Sequence, residues 1–251
     1  MNKPRYQENL SLHSPILLDK EYKAPKIAKM LSILKAADLI GAEQKYVAVD
    51  LGCSGGLFTQ SLTQYFERII GFDIDPHALS RAQNENQSPN LLFVLGSAND
   101  LPLPSDSVDL LLCNHVYEHV PDAPRLFSEI ERILKPGGSC YLGAASRLTL
   151  IEPHYHLPFL SWLPKPLAHR YMRLAGRGSY YYENLRTLGG IRRLVSRFNT
   201  TDYTLQVVAD PDRFHARDLL PKGSFFDRVP LWAWRALYSL LPSYIFILTK
   251  R

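Results

Sequence analysis

Long unbroken apolar runs, a cysteine framework and a dinucleotide-type glycine pattern are all missing from this chain, and each absence removes a class of function. Among 251 residues there are three cysteines, Cys53, Cys113 and Cys140. The count is odd and the spacings are unlike metal-ligand pairs, which argues for reduced thiols and against a disulfide scaffold or a zinc module. The opening residues Met1-Asn-Lys-Pro-Arg-Tyr carry no apolar core of signal-peptide length, so a cytoplasmic location is expected. The most apolar stretch, 229–248, is interrupted by Pro230, Arg235 and Pro242. It reads as a helix followed by a buried edge strand, with Trp232, Trp234, Tyr238 and Arg235 available for peripheral contact with a membrane.

What the chain does have is one informative stretch, Tyr46-Val-Ala-Val-Asp-Leu-Gly-Cys-Ser-Gly-Gly56. Its apolar run is too short for a helix and does not alternate, as expected of a central strand buried on both faces. Gly52, Gly55 and Gly56 then offer a turn whose backbone can approach a ligand, and residues 57–66 read as the helix that follows. A nicotinamide-binding turn would need Gly-x-Gly-x-x-Gly, but Ser54 and Leu57 stand at the later glycine positions. Asp50, directly before the turn, would repel a pyrophosphate and welcome a cation.

Strand and helix then alternate: strands at 46–51, 69–73, 91–95, 108–114 and 139–145, and helices at 76–85 and 123–134. An amphipathic helix at 24–39 precedes the first strand. Such alternation means a doubly wound α/β fold, with ligands at the carboxyl ends of the strands. After residue 145 the pattern breaks. Residues 201–208 and 243–249 read as the last strands, with a helix near 228–240 between them.

The motif Asp-Leu-Gly-Cys-Ser-Gly-Gly resembles the first motif of the class I S-adenosylmethionine-dependent methyltransferases. Downstream segments follow in the right order: Ile69-Ile-Gly-Phe-Asp-Ile-Asp-Pro76, Leu101-Pro-Leu-Pro104, the run from Ser107 to Val120 containing Asn114-His-Val-Tyr-Glu-His119, and Arg132-Ile-Leu-Lys-Pro-Gly-Gly138. They are similar to the subgroup of quinone-biosynthesis (ubiquinone and menaquinone) methyltransferases. The resemblance covers residues 46–145. It implies a Rossmann-like, mostly parallel seven-stranded sheet with S-adenosyl-L-methionine as cofactor. Its implied arrangement is an N-terminal segment 1–45, a cofactor core 46–145, a helical and aromatic cap 146–200 after the fifth strand, and a closing unit 201–251.

Carried over residue by residue, the resemblance has Asp50, Gly52, Cys53, Ser54 and Gly56 shape the methionine side. Asp73, with Ile74 beside it, takes the ribose hydroxyls. Ser97 and Ala98 flank the adenine, where many relatives have an acid, and Asn114 flanks the methyl. Asn99 is an alternative adenine partner. His13, Tyr22 and Lys26 lie on the leading segment that often helps to close such sites.

Methyl transfer from a sulfonium needs alignment and dryness rather than a nucleophilic residue, and a hydroxyl acceptor adds the need for a base. His115, His119 and His154 are the candidates, with His156 alternating away from His154. No metal site is expected. Residues 1–145 hold 13 Lys and Arg against 17 Asp and Glu, and residues 146–251 hold 16 against 7. That asymmetry points to an anionic partner or surface. The cap is rich in aromatic residues (Tyr155, Phe159, Trp162, Tyr171 and Tyr180 to Tyr182), which suits an apolar, aromatic or lipid-linked small molecule methylated at oxygen. An RNA or protein substrate is the rival reading, which the absence of an Asn-Pro-Pro-Tyr-like sequence after the fourth strand disfavours. A cofactor-binding protein without catalysis is the other.

Overall fold

The apolar run before the glycine turn forms the middle of the sheet because neighbours cover both of its faces. The computed structural model describes residues 8, 10–13, 15–41 and 45–251, excepting the side chains of residues 13, 15, 17 and 45. The leader expectation at residues 1–6 and the His13 side chain lie outside that set. The strands are β1 (Lys45–Leu51), β2 (Phe66–Asp73), β3 (Leu91–Leu95), β4 (Val108–Asn114), β5 (Leu134–Ala145), β6 (Asn199–Asp202) and β7 (Ser243–Thr249). They form one seven-stranded sheet in the order β3-β2-β1-β4-β5-β7-β6. β1 to β5 pair in parallel, and β7 runs antiparallel to both β5 and β6. The expected doubly wound, mostly parallel seven-stranded α/β fold is what forms.

The described helices are α1 (Leu10–His13), α2 (Lys20–Ala36), α3 (Leu57–Ser61), α4 (Pro76–Glu85), α5 (Ala123–Ile133), α6 (Lys165–Leu174), α7 (Leu188–Leu194), α8 (Thr204–Ala209) and α9 (Leu231–Ala236). On β1, Val49 and Leu51 enter one core, shared with Leu126, Phe127 and Ile130 of α5 and Leu188 and Ile191 of α7. Ala48 enters the other, with Met30, Ile33 and Leu34 of α2 and Val207 of α8. A strand with both faces covered has no polar face, hence its continuous apolar sequence. Each fully buried leucine contributes about 2 kcal/mol relative to exposure. Side-chain caps set the helix starts: Asp75 accepts from His77 and Ala78 N–H, and Asp122 accepts from Arg125 N–H.

Several boundaries differ from expectation. The helix expected at 57–66 ends at Ser61, because β2 already begins at Phe66, whose ring is fully buried. The strand expected at 201–208 is only Asn199–Asp202. Asp202 Oδ1 accepts from Thr204 N–H at 2.9 Å, turning the chain into α8. The helix expected near 228–240 is α9 between two 3-10 turns, starting after Pro230. The expected 146–200 cap divides: Leu157, Leu160, Ala168, Met172 and Tyr181 make a small cluster of their own, whereas Leu188, Ile191, Val195 and Phe198 belong to the sheet core. Among the described residues no helix is long and apolar enough to cross a membrane.

Candidate active site

The turn after β1 is a left-handed device: Gly52, Ser54 and Gly56 have φ of +67°, +50° and +75°. Gly55 does not take a positive φ; a Cβ there would come within 2.8 Å of Leu18 Cδ2 on the N-terminal segment. At Gly52 a Cβ would lie 2.9 Å from Val116, and at Gly56 2.6 Å from the Phe93 ring. Ser54 pays for its strained backbone with a hydrogen bond, its N–H donating to Asp73 Oδ2 at 2.7 Å. Cys53 belongs to a small buried cluster with Leu79, Ala82 and Phe93, and burial pushes its thiol well above its ordinary pKa.

Asp50 lies beneath the turn, 4% exposed, and accepts from the Thr59 hydroxyl at 2.7 Å. Burial raises its pKa to about 7, against the Thr59 bond and the Lys23 charge and with help from Asp73. Lys23, from α2, lines the same narrow slot together with Gly52, Ser54, Leu57 and Asn114. Its ammonium is shifted down by burial and by Lys26, while Asp50 pulls it up. Sequence reasoning missed Lys23, since on an amphipathic surface helix one lysine reads like any other.

Asp73, at the end of β2, also accepts from Asp75 N–H at 2.9 Å. Burial raises its pKa, against those backbone bonds. A carboxylate has about four lone-pair sites, and with Ser54, Asp75 and Ile74 N–H all directed at it, acceptor capacity is left for a ligand hydroxyl. Ile74 is half-buried beside it, and Gly96 N–H donates to Asp73 C=O at 2.9 Å, joining the ends of β2 and β3. Ser97 is exposed and Ala98 half-buried just beyond. Asn99 Nδ2 donates to Asp122 C=O, anchoring the start of α5, while its Oδ1 is buried with no hydrogen-bond partner among the described residues.

These features fit S-adenosylmethionine. The slot beside the turn, about 50 Å³, has room for the amino-acid end of a ligand. There Asp50 offers a carboxylate to an ammonium and Lys23 an ammonium to a carboxylate. Asp73 keeps acceptor capacity for ribose hydroxyls, and the glycines of the turn let it pack closely against Val116, Leu18 and Phe93.

On the far side of Asn114 the histidines meet the cap. His115, in the left-handed region at φ +58°, places Nδ1 3.2 Å from Glu118 Oε1. His119 and His154 stack edge to face, their ring centroids 4.8 Å apart. His154 Nδ1 lies 2.7 Å from Oε1 of Glu152. Burial drives His119 down to about 4, opposed by Glu118. Burial also acts downward on His154, but the hydrogen bond and charge of Glu152, with Glu183 and Glu118, win and raise it. His156, at φ +55°, is exposed.

Glu118, Glu152 and Glu183 are all buried here, and Glu118 Oε2 has no hydrogen-bond partner among the described residues. Two of these carboxylates come from the cap. Donor atoms of Glu118, His119 and His154 lie within 4.8 Å of one another. Ligands on about 2.1 Å bonds to one ion are at most about 4.2 Å apart, so the three would have to draw together to share one. The cap is tied to the end of β4 by Tyr117, whose hydroxyl donates to Ala145 C=O at 2.5 Å and accepts from Arg186 N–H at 3.1 Å, and by Asn184 N–H donating to Glu118 C=O.

Residues 49–142 match the family model described as a methyltransferase domain. The chain is 26% identical over 148 residues to the ubiquinone biosynthesis O-methyltransferase of Coxiella burnetii, covering 56% of this chain and 63% of that one. It is 28% identical over 150 residues to the protein of the same name from Xanthomonas oryzae pv. oryzae, covering 59% and 57%. The match thus spans about three fifths of the length of these relatives. Among solved structures, a possible histamine N-methyltransferase of Thermotoga maritima superposes over 98% of both chains with TM-score 0.55 at 16% identity. The cyclase SpnF also superposes, over 88% of this chain and 80% of that one, with TM-score 0.52 at 15% identity, so the fold alone does not decide the reaction. Over residues 49–142 the chain is thus similar to a methyltransferase domain, and the sheet order and the acid-flanked glycine turn accompany that match.

Proposed function

We propose that this chain methylates a hydroxyl of a small, apolar, aromatic or lipid-linked acceptor held beneath residues 146–187. The observation that carries the reading is the meeting of His119 and His154 with buried glutamates where the cap closes over the end of β4. Relatives named for ubiquinone biosynthesis O-methylation support a hydroxyl acceptor. S-adenosylmethionine would supply an electrophilic methyl: the acceptor oxygen forms the new O–C bond, and the C–S pair returns to sulfur. Asp50 and Lys23 would hold its amino-acid end and Asp73 its ribose. The residues at the end of β4 and in the cap orient the acceptor, exclude water and receive the hydroxyl proton.

An acceptor embedded in lipid would also explain the outer face of the cap. Leu150, Ile151, Phe159 and Trp162 are 40–58% exposed on one loop, closed by the pairing of Ile151 with Pro158 and by Phe159 N–H donating to Leu150 C=O. Residues 146–187 carry six Lys and Arg, and both acids of the segment are buried, so the charge this segment exposes is basic. An apolar tip with a cationic rim suits peripheral contact with an anionic bilayer.

Calorimetry with S-adenosylmethionine tests the cofactor, and mass spectrometry for a gain of one methyl across phenolic and quinol acceptors tests the reaction. Failure of the adenosyl ligand to bind would overturn the reading.

A further inference from the structure

Of the ionisable groups under the cap, Glu152 has the most determined surroundings. It is fully buried, yet each of its oxygens is in use. Oε2 accepts from the backbone N–H of His154 and of Tyr155, both at 2.8 Å, and Oε1 lies 2.7 Å from His154 Nδ1. Its own backbone is locked as well: Glu152 N–H donates to Leu157 C=O at 3.0 Å and His156 N–H donates to Glu152 C=O at 2.8 Å. The sequence Glu152-Pro-His-Tyr-His-Leu157 is therefore a closed loop with one carboxylate at its centre. An ionised carboxylate can only accept, so the Nδ1 that meets it must carry the hydrogen. The second ring nitrogen, Nε2, is then left with its lone pair.

We propose that Glu152 is a positioning residue which fixes the Nδ1–H form of His154 and aims Nε2 at the acceptor hydroxyl. This rests on the O-methylation reading above. The proton leaves the acceptor oxygen for Nε2, giving an imidazolium, and passes to water from a side chain that is 29% exposed. The groups around the ring fit that task. Glu152, Glu183 and Glu118 favour the imidazolium by charge, and His119, packed edge-on, is held neutral by its burial and adds no competing positive charge at neutral pH. Tyr155, whose hydroxyl donates to Glu183 Oε1 at 3.3 Å, and Tyr181 have phenol pKa values raised by burial, so neither contributes a phenolate. His115 has a similar partner in Glu118 but is the poorer choice: its ring is 46% exposed and its Nδ1 contact is 3.2 Å, against 29% and 2.7 Å for His154.

The test is a pH titration of the imidazole nitrogens of the full-length protein, labelled with 15N-histidine, with His154→Asn used to assign the signals. Above its titration point His154 should show a protonated Nδ1 and a bare Nε2; the opposite tautomer overturns the proposal with no further variant. In Glu152→Gln the proton affinity of His154 should fall by about tenfold or more, since burial then acts against fewer charges. With an acceptor in hand, the acid limb of kcat should move to lower pH. Glu152→Asp, which keeps the charge but shortens the reach, should restore part of the shift and stands in if the Gln variant does not fold. An unmoved titration in a folded variant overturns the proposal. So does stoichiometric perturbation of Nε2 by micromolar zinc, which would give that lone pair to an ion. S-adenosylmethionine binding measured on the same samples separates the two claims: if it persists while His154 fails the test, only the role of Glu152 falls.

Discussion

Thr59 donates its hydroxyl hydrogen to Oδ2 of Asp50 at 2.7 Å, joining the acid of β1 to the helix that leaves the glycine turn. The bond partly offsets the burial that raises Asp50 to about 7. Because the folded pKa is raised above the ordinary 3.8, the Asp50 proton stabilises the fold. That contribution is complete below about pH 4 and is lost as the pH climbs to about 7. A ligand ammonium favours the ionised form. Binding of S-adenosylmethionine should therefore tighten between about pH 6 and pH 8 and release a proton below neutrality. Calorimetry in buffers of different ionisation heat reads both effects, and an affinity independent of pH would remove Asp50 from the ammonium contact.

Asp73 accepts from Ser54 N–H at 2.7 Å and from Asp75 N–H at 2.9 Å before any ligand arrives. Asp73→Ala should weaken S-adenosylhomocysteine binding by about tenfold to a hundredfold, the worth of hydrogen bonds to a charged group. Asp73→Asn, which keeps one acceptor oxygen for the turn, should lose less. Competition binding on the two variants gives the order, and equal losses would show that the charge alone matters.

Gly56 and Gly189 make a paired test of backbone and space. Gly56→Ala meets both a φ of +75° and the Phe93 ring at 2.6 Å, so a loss of about 1–3 kcal/mol is expected. Gly189 lies in α7 with nothing within 4 Å of a new Cβ, and Gly189→Ala should gain about 0.5–1 kcal/mol from helix propensity. Urea denaturation gives both numbers.

The exposed loop of the cap predicts co-sedimentation with anionic vesicles and weaker retention on zwitterionic ones. Replacing Phe159 and Trp162, 49% and 40% exposed, by serine should release the protein without altering S-adenosylmethionine affinity. Retention of that double variant would shift attention to Trp232, 71% exposed in α9.

The cofactor half was legible because its signals are local. The short apolar run Val47, Ala48, Val49 and Leu51 fits a strand covered on both faces best, and Asp50, Asp73 and Asn114 stand at or near strand ends, where a parallel sheet gathers its ligands. The expected cap and closing unit were read less well. Residues 201–208 are apolar enough for a strand, but an aspartate at 202 capturing the N–H of Thr204 diverts them into α8. Residues 188–198, expected in the cap, pack Leu188, Ile191, Val195 and Phe198 into the sheet core, and which surface lies nearest is long-range information.

The sequence by itself determined the succession of the core strands along the chain, the glycine turn and the list of histidines, because each depends on neighbouring residues. Only the tertiary structure decided that Lys23 stands beside Asp50, that the two cap glutamates are buried, and that His154 is the histidine gripped by one of them. Those relations join segments far apart in the chain, or turn on how a loop closes. The packing that buries them sets both their distances and their proton affinities.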